Sequence, residues 1–337
     1  MTGPPSPFPS PPFDTLRGGR GVKYEMTTPC RERVGVRVRA AGELEIMDRP
    51  RELLAYVNGK VVPLSEAKVS VTDRSFLYGD GAFEGIQVQG GIIYQLEEHV
   101  ERLFRSCRYL QIPIPLSPQE VREAIIGVVR ANGLADGYLR PLVTRGEGPL
   151  GIDRTDELGP PNVVIVPQHR QTREGRALRA KVVSARRTPA QCVDPRVKSN
   201  NYLNNIMGKL EQKASGADVG IMLDVEGFVA EGCGENVFAV QAGGLLTPPP
   251  HHALDGLTRQ AVLRIAAREG IPAAERPMTL YDLYTADEVF VTATMTGIAY
   301  VTEIDGRAIG DGQPGPASQR LRGLLRAYLD ETGVKVL

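Results

Sequence analysis

Val197-Lys198-Ser199-Asn200-Asn201-Tyr202-Leu203-Asn204-Asn205 sets a lysine at the head of an amide-rich run. About thirty residues later comes Val229-Ala230-Glu231-Gly232-Cys233-Gly234-Glu235-Asn236-Val237-Phe238. A lysine where a loop meets a helix can form a Schiff base, and an acidic residue beside glycines can approach the ring nitrogen of an aromatic cofactor. Pyridoxal phosphate chemistry uses both. Neither stretch suffices alone, because most lysines are solvated surface charges and most Glu-Gly pairs are turns.

Further segments keep a definite order around these two: Tyr78-Gly79-Asp80-Gly81-Ala82-Phe83-Glu84-Gly85-Ile86, Glu98-His99-Val100-Glu101-Arg102-Leu103, Gly256-Leu257-Thr258-Arg259 and Thr292-Ala293-Thr294. From roughly Tyr56 to the C terminus this order resembles the class IV, or fold type IV, aminotransferases, and within them the branched-chain amino acid aminotransferases. The resemblance implies an α+β chain of two domains, similar to the D-amino acid aminotransferase fold: a smaller N-terminal α/β domain and a larger C-terminal domain with a β-barrel-like core. It also implies pyridoxal 5'-phosphate as cofactor, amino acids and 2-oxo acids as small-molecule substrates, and a homodimer or a multiple of one.

Composition sets the outer limits. A chain of 337 residues with 42% hydrophobic content is long enough for about two buried cores. Forty basic and forty acidic residues cancel, so no net field favours nucleic acid or an anionic membrane. No apolar stretch is long enough to span a bilayer. Cys30, Cys107, Cys192 and Cys233 are widely spaced and form no metal or redox pattern, so no metal is expected and free thiols in a reducing cytoplasm are. Six prolines among the first twelve positions, followed by Arg17-Gly18-Gly19-Arg20-Gly21, make residues 1–50 a flexible extension without a secretory signal. Met26 and Met47 are candidate true starts.

Patterning then divides the remainder into a domain at 51–170, a linker at 171–177 overlapping the polar run Gln168 to Arg176, and a domain at 178–337. Asn58-Gly59 between short β-formers predicts a hairpin. Apolar residues at helical spacing predict a helix over Glu97 to Gln111, and another runs from Pro118 to Asn132 and stops at Gly133. Strands are expected at Tyr138 to Val143, Val163 to Val166, Leu178 to Ala185, Gly220 to Leu223, Val237 to Val240 and Val289 to Ala293. Leu203, Ile206, Met207 and Leu210 mark a helix after Lys198, with Lys209 and Lys213 off its stripe and read as solvated. Two more helices are expected at Thr258 to Glu269 and near Ala317 to Glu331.

Specific roles follow from the resemblance. Lys198 would hold the cofactor and move a proton as general base and acid. Glu231 would face the pyridine nitrogen, leaving Glu235 as a structural acceptor and Asn236 as a turn residue. Arg102, Leu257, Thr258 and Thr294 would cup the phosphate, and Tyr202 would place its phenol near the cofactor. Tyr138-Leu139-Arg140 resembles the Tyr-x-Arg that holds substrate carboxylates, with Phe83 and Tyr78 around the side-chain pocket. Where the family usually shows Thr-Gly-Thr-Ala-Ala-Glu, this chain reads Thr292-Ala293-Thr294-Met295-Thr296-Gly297, so Met295 and Thr296 enter the substrate pocket and Met295 narrows it.

The activity so implied is transamination of leucine, isoleucine and valine with 2-oxoglutarate. Relatives that use the same lysine otherwise form the alternative: D-amino acid transaminases, (R)-selective amine transaminases and 4-amino-4-deoxychorismate lyases. After Thr144-Arg145-Gly146-Glu147-Gly148-Pro149 this chain continues Leu150-Gly151-Ile152, without the Arg-x-His of the D-specific enzymes. A cofactor-binding homologue without turnover would have no chemical need for Lys198, Glu231 and Arg102 together.

Overall fold

The structure, a computed structural model, describes residues 52–172 and 174–337. The extension expected at 1–50, with Met26, Cys30 and Met47, lies outside the described residues, as do Arg51 and Arg173.

The first part of the chain runs β1 (Leu54–Val57), β2 (Lys60–Pro63), α1 (Arg74–Tyr78), β3 (Gly81–Phe83), β4 (Ile86–Gln89), β5 (Ile92–Ile93), α2 (Leu96–Tyr109), α3 (Pro118–Asn132), β6 (Gly137–Thr144) and β7 (Val163–Gln168). Asn58 and Gly59 take φ of 47° and 89°, the left-handed pair that a two-residue hairpin requires. Helix α3 starts and stops as expected: Ser117 and Glu120 form a capping box around Pro118, and Gly133 closes the helix at φ 55°. In β6, Leu139 and Val143 enter the core beneath α2 and α3, so the strand's alternation turns Tyr138 and Arg140 to the other face.

The second part runs β8 (Ala177–Val182), α4 (Leu203–Ala214), β9 (Val219–Leu223), β10 (Val229–Gly232), β11 (Asn236–Gln241), β12 (Gly244–Thr247), α5 (Leu257–Arg268), β13 (Ala273–Glu275), α6 (Leu280–Tyr284), β14 (Glu288–Ala293), β15 (Gly297–Ile304), β16 (Arg307–Ala308), α7 (Pro316–Thr332) and β17 (Val334–Lys335). Strand β8 stops at Val182, short of Ala185, because the Ser184 N–H is taken by the Glu211 carboxylate. The sheet follows the order β10-β9-β8-β15-β14-β11-β12-β13 and curls into a half-barrel. Alternation along β11 sends Val237 and Ala239 to one face and Phe238 and Val240 to the other, where Phe238 stacks on Phe290 beneath α5 and α7. The chain's last strand, β17, pairs with β5 and so joins the first sheet.

Helix α4 departs from the sequence reading. Its apolar residues Leu203, Ile206, Met207 and Leu210 are 50–68% exposed, while Asn205, Gly208 and Gln212 face the body. The cause is steric: a Cβ on Gly208 would lie 2.6 Å from Cys233 Sγ, so only the small, polar side of α4 fits that close to the sheet. Among the described residues no helix is long and apolar enough to cross a membrane, and no His, Cys, Asp and Glu cluster could hold a metal.

Candidate active site

The backbone of Lys198 is pinned between the two sheets before its side chain is considered. Its carbonyl accepts from Phe83 N (3.0 Å) and its N–H donates to Ser106 Oγ on α2 (3.2 Å). Two residues on, Asn200 N donates to Gly81 O (2.9 Å), and Asn200 Nδ2 donates to Ser75 Oγ (2.6 Å). The Lys198 side chain enters a cleft of about 490 Å³. There its Nζ donates to Tyr202 Oη at 3.1 Å and lies 4.8 Å from the Phe83 ring centroid. Phe83 and Tyr202 meet edge to face at 4.9 Å. The amine is therefore held by one phenol and two ring faces, with no carboxylate in contact among the described residues.

Glu231 lines the same cleft, and it sits on β10 rather than in a turn. Arg187 Nε donates to its Oε1, and Leu254 N donates to its Oε2 at 3.0 Å. Burial pushes the Glu231 carboxyl above the usual carboxylate range, while the Arg187 guanidinium, the Leu254 N–H and the Lys198 charge act against that shift. Arg187, absent from the sequence reading, stands 44 residues away in sequence and next to another arginine, so nothing local marks it. Glu235 accepts from Gly234 N (3.0 Å) and from Lys209 Nζ (3.1 Å), so Lys209 is paired while its side chain stays 40% exposed. Asn236 is likewise no turn residue: it opens β11 and its Nδ2 donates to Leu254 O at 2.8 Å.

Arg102, Leu257, Thr258 and Thr294 all line the cleft. Arg102 is 4% exposed, and its side-on fork is already taken. Nε and Nη2 donate to the two oxygens of Glu84 at 2.8 Å each, and Nη1 donates to Asp255 O at 2.9 Å. Three of the guanidinium's five N–H donors are thus committed, and two remain. Arg102 can therefore meet an anion only through its outer N–H groups. Glu84 is fully buried, yet Arg102 and His99 hold its carboxyl well below the usual range against the cost of burial. His99 donates Nδ1–H to Glu84 at 2.7 Å as a neutral ring, because burial lowers its pKa. Helix α5 opens at Gly256 without a side-chain cap, leaving the first N–H groups of Leu257 and Thr258 to an outside acceptor. Gly256 admits no side chain, since a Cβ there would overlap Asn236 Oδ1. Beside them the buried Thr292 Oγ1 has no partner among the described residues. This donor set fits a phosphate.

Phe83, Tyr138 and Arg140 also line the cleft, as do Met295 and Thr296 on the turn between β14 and β15. Arg140 Nε and Nη2 donate to Tyr138 Oη at 2.9 and 2.7 Å, and its guanidinium lies 4.5 Å from the Phe83 centroid. Gly85 makes room for this arrangement, because a Cβ there would come 2.5 Å from Tyr138 Oη. All twelve residues singled out for the site thus line one cleft. Tyr78 does not. Within this chain its hydroxyl accepts from Gly151 N at 3.1 Å and Arg74 covers its ring. Arg170 lines the cleft and was not anticipated, because it stands in a polar connector without periodicity.

Known proteins match this chain over both sheets. The family model for amino-transferase class IV covers residues 81–304. A putative branched-chain-amino-acid aminotransferase of Methanocaldococcus jannaschii is 43% identical over 284 residues, spanning 83% of this chain and 98% of that protein. The branched-chain aminotransferase of Thermoproteus uzoniensis, solved with norvaline, superposes with a TM-score of 0.78 at 36% identity, covering 82% of this chain and 95% of the other. A T.th. branched-chain amino acid aminotransferase complexed with N-(5'-phosphopyridoxyl)-L-glutamate gives 0.81 at 36% identity over 86% and 100%. With a lysine, a buried carboxylate and an anion cup in one cleft, a family match over residues 81–304 and a relative 43% identical over 83% of the chain, the chain belongs to the class IV aminotransferases.

Proposed function

We propose that this aminotransferase moves the amino group between branched-chain L-amino acids and 2-oxoglutarate, with Lys198 as its proton carrier. Its cofactor is pyridoxal 5'-phosphate, which supplies the electron sink for the carbanion formed at the substrate's α-carbon. In this reading Arg102, Leu257, Thr258 and Thr294 hold the phosphate, Glu231 balances the pyridine nitrogen, and Tyr202 orients the Lys198 amine. Lys198 Nζ takes the α-proton and returns it on the other side of the reaction. The names carried by the M. jannaschii and T. uzoniensis proteins support the substrate class.

The observation that carries the reading is the wall formed by Phe83, Arg140 and Met295. Phe83 and Met295 offer apolar surface, while Arg140 meets no carboxylate among the described residues, so one space can take either a branched aliphatic group or a second carboxylate. The test is to offer the yellow holoenzyme L-leucine, L-glutamate, D-alanine and (R)-1-phenylethylamine in turn, following conversion to the pyridoxamine form. Conversion by leucine and glutamate is expected; conversion by D-alanine or the (R)-amine with leucine inert would replace the branched-chain reading with another branch of the family. Arg140→Leu removes a charge-assisted contact of roughly 1.5–3 kcal/mol. It should therefore weaken glutamate and 2-oxoglutarate tenfold or more beyond its effect on leucine, as read from the two half-reactions.

Assembly belongs to the same proposal. The bare apolar face of α4 lies beside Lys198, and Phe76, Leu150 and Ile152 on the first part of the chain are 70–75% exposed. Apolar surface of this extent calls for a covering partner, and we assign it to a second copy of the chain in a homodimer or a multiple of one. Light scattering should find no monomer at working concentration, and Ile206→Glu with Leu210→Glu should shift the enzyme towards one; a fully active wild-type monomer would refute this. The division into domains at 51–170 and 178–337 is also part of the reading, supported by two sheets that share no ladder, with β17 alone returning to the first. So is residence in the cytoplasm, for which the free thiols Cys107 and Cys233 speak.

A further inference from the structure

We propose that Arg170 determines acceptor specificity by adding a second guanidinium that recruits the distal carboxylate of five-carbon dicarboxylic substrates. The inference rests on the transamination reading above and goes beyond it, to a residue outside the family motifs quoted above.

Arg170 follows β7 on the connector that leads to β8, and its side chain lines the cleft on the same wall as Tyr138. Its guanidinium lies 5.6 Å from the Tyr138 ring centroid; that of Arg140 lies 5.3 Å from the same centroid. Arg140 is also 4.5 Å from the Phe83 centroid, and Lys198 Nζ is 4.8 Å from it. A chain of contacts therefore links Lys198, Phe83, Arg140, Tyr138 and Arg170. Neither arginine pairs with a carboxylate among the described residues, whereas Arg102 and Arg187, deeper in the site, are both bound to glutamates. Two such guanidinium groups around one phenol repel each other and attract a carboxylate.

A cleft that accepts both leucine and glutamate meets a conflict. The terminal methyls of leucine and the side-chain carboxyl carbon of glutamate both sit three bonds from the α-carbon, so they occupy the same space. A buried, fixed cation there would penalise the methyl group. Arg140 lies against Phe83 and is bound to the Tyr138 hydroxyl, so it can present its flat face to an aliphatic group. Arg170 is exposed, on a long flexible stem, and can turn to water when leucine fills the space and inward when a carboxylate does. The two arginines thus divide the work: Arg140 shapes the wall and Arg170 supplies charge on demand.

The experiment uses the pyridoxamine form of the holoenzyme and compares 2-oxoglutarate with 4-methyl-2-oxopentanoate by stopped-flow absorbance, in wild type, Arg170→Gln and Arg170→Lys. One charge-assisted contact corresponds to about tenfold or more. The ratio of kcat/KM for the dicarboxylate over the branched oxo acid should therefore fall about tenfold in Arg170→Gln, mainly through KM, with partial recovery in Arg170→Lys. Added salt should weaken 2-oxoglutarate less in Arg170→Gln than in wild type, because an exposed charge is screened. A ratio that does not move, or that moves equally in Arg170→Lys and Arg170→Gln with the same salt response as wild type, overturns the proposal. A wild-type enzyme that turns over neither substrate would instead refute the branched-chain reading, so the two failures are distinguishable.

Discussion

Lys198→Ala should lower transamination by roughly a thousandfold or more, the scale of a general acid–base group that is also the covalent anchor. Among the described residues its amine is the only one that reaches the cleft: Lys198 lines it, whereas Lys209 is bound to Glu235 at 3.1 Å and Lys181 to Asp305 at 2.9 Å. Lys213 is exposed on α4. The variant should nevertheless retain cofactor, because the Arg102, Thr258 and α5 contacts on the phosphate do not involve the lysine. It should bind pyridoxal phosphate without the absorbance of the covalent form, and its thermal midpoint should still rise on adding the cofactor. Near-normal turnover would remove Lys198 from the reaction and send the search back to the other lysines. Loss of cofactor binding altogether would instead show that the phosphate cup is weaker than the donor set suggests.

How far the sequence reveals such a site depends on whether the chemistry is local. Helix α3 is legible to the residue because its signals, Ser117, Pro118, Glu120 and Gly133, all act within one turn of its ends. Lys198, Glu231, Thr258 and Thr294 are legible because each stands in a short segment whose order resembles a family. What the sequence hides is pairing at a distance. Glu84 occupies the fork of Arg102 across 18 residues, and Arg187 binds Glu231 across 44; neither spacing has a periodic signature. Helix α4 misleads for a different reason. Its apolar stripe identifies the helix correctly, but which face turns inward is decided by the Gly208 approach to Cys233, and hydrophobicity alone points the wrong way. Arg170 is invisible because a charged residue in a connector looks the same whether it faces water or the mouth of a cleft.

The pairing of Glu231 with Arg187 leads to the second large effect, in Glu231→Gln. The substitution keeps volume and leaves an acceptor for the Leu254 N–H, but it removes the only carboxylate bonded to Arg187 among the described residues, and that arginine's side chain is 9% exposed. Breaking one side of a buried pair costs about 3–5 kcal/mol, because the remaining charge stays desolvated. The thermal midpoint of the cofactor-free protein should fall accordingly. Catalysis should suffer separately. In the proposed reading Glu231 supplies the negative charge that favours a protonated pyridine nitrogen, so its loss should lower kcat by about a hundredfold or more, at about 1.4 kcal/mol for each factor of ten. The two consequences can be told apart with Glu231→Gln combined with Arg187→Met, which removes the stranded cation. Stability should recover in the double variant while kcat stays low, because removing the stranded cation does not restore the negative charge of Glu231. Recovery of kcat together with stability would show that Glu231 serves only to neutralise Arg187, and its role opposite the cofactor ring would have to be given to Glu235, the other carboxylate lining the cleft.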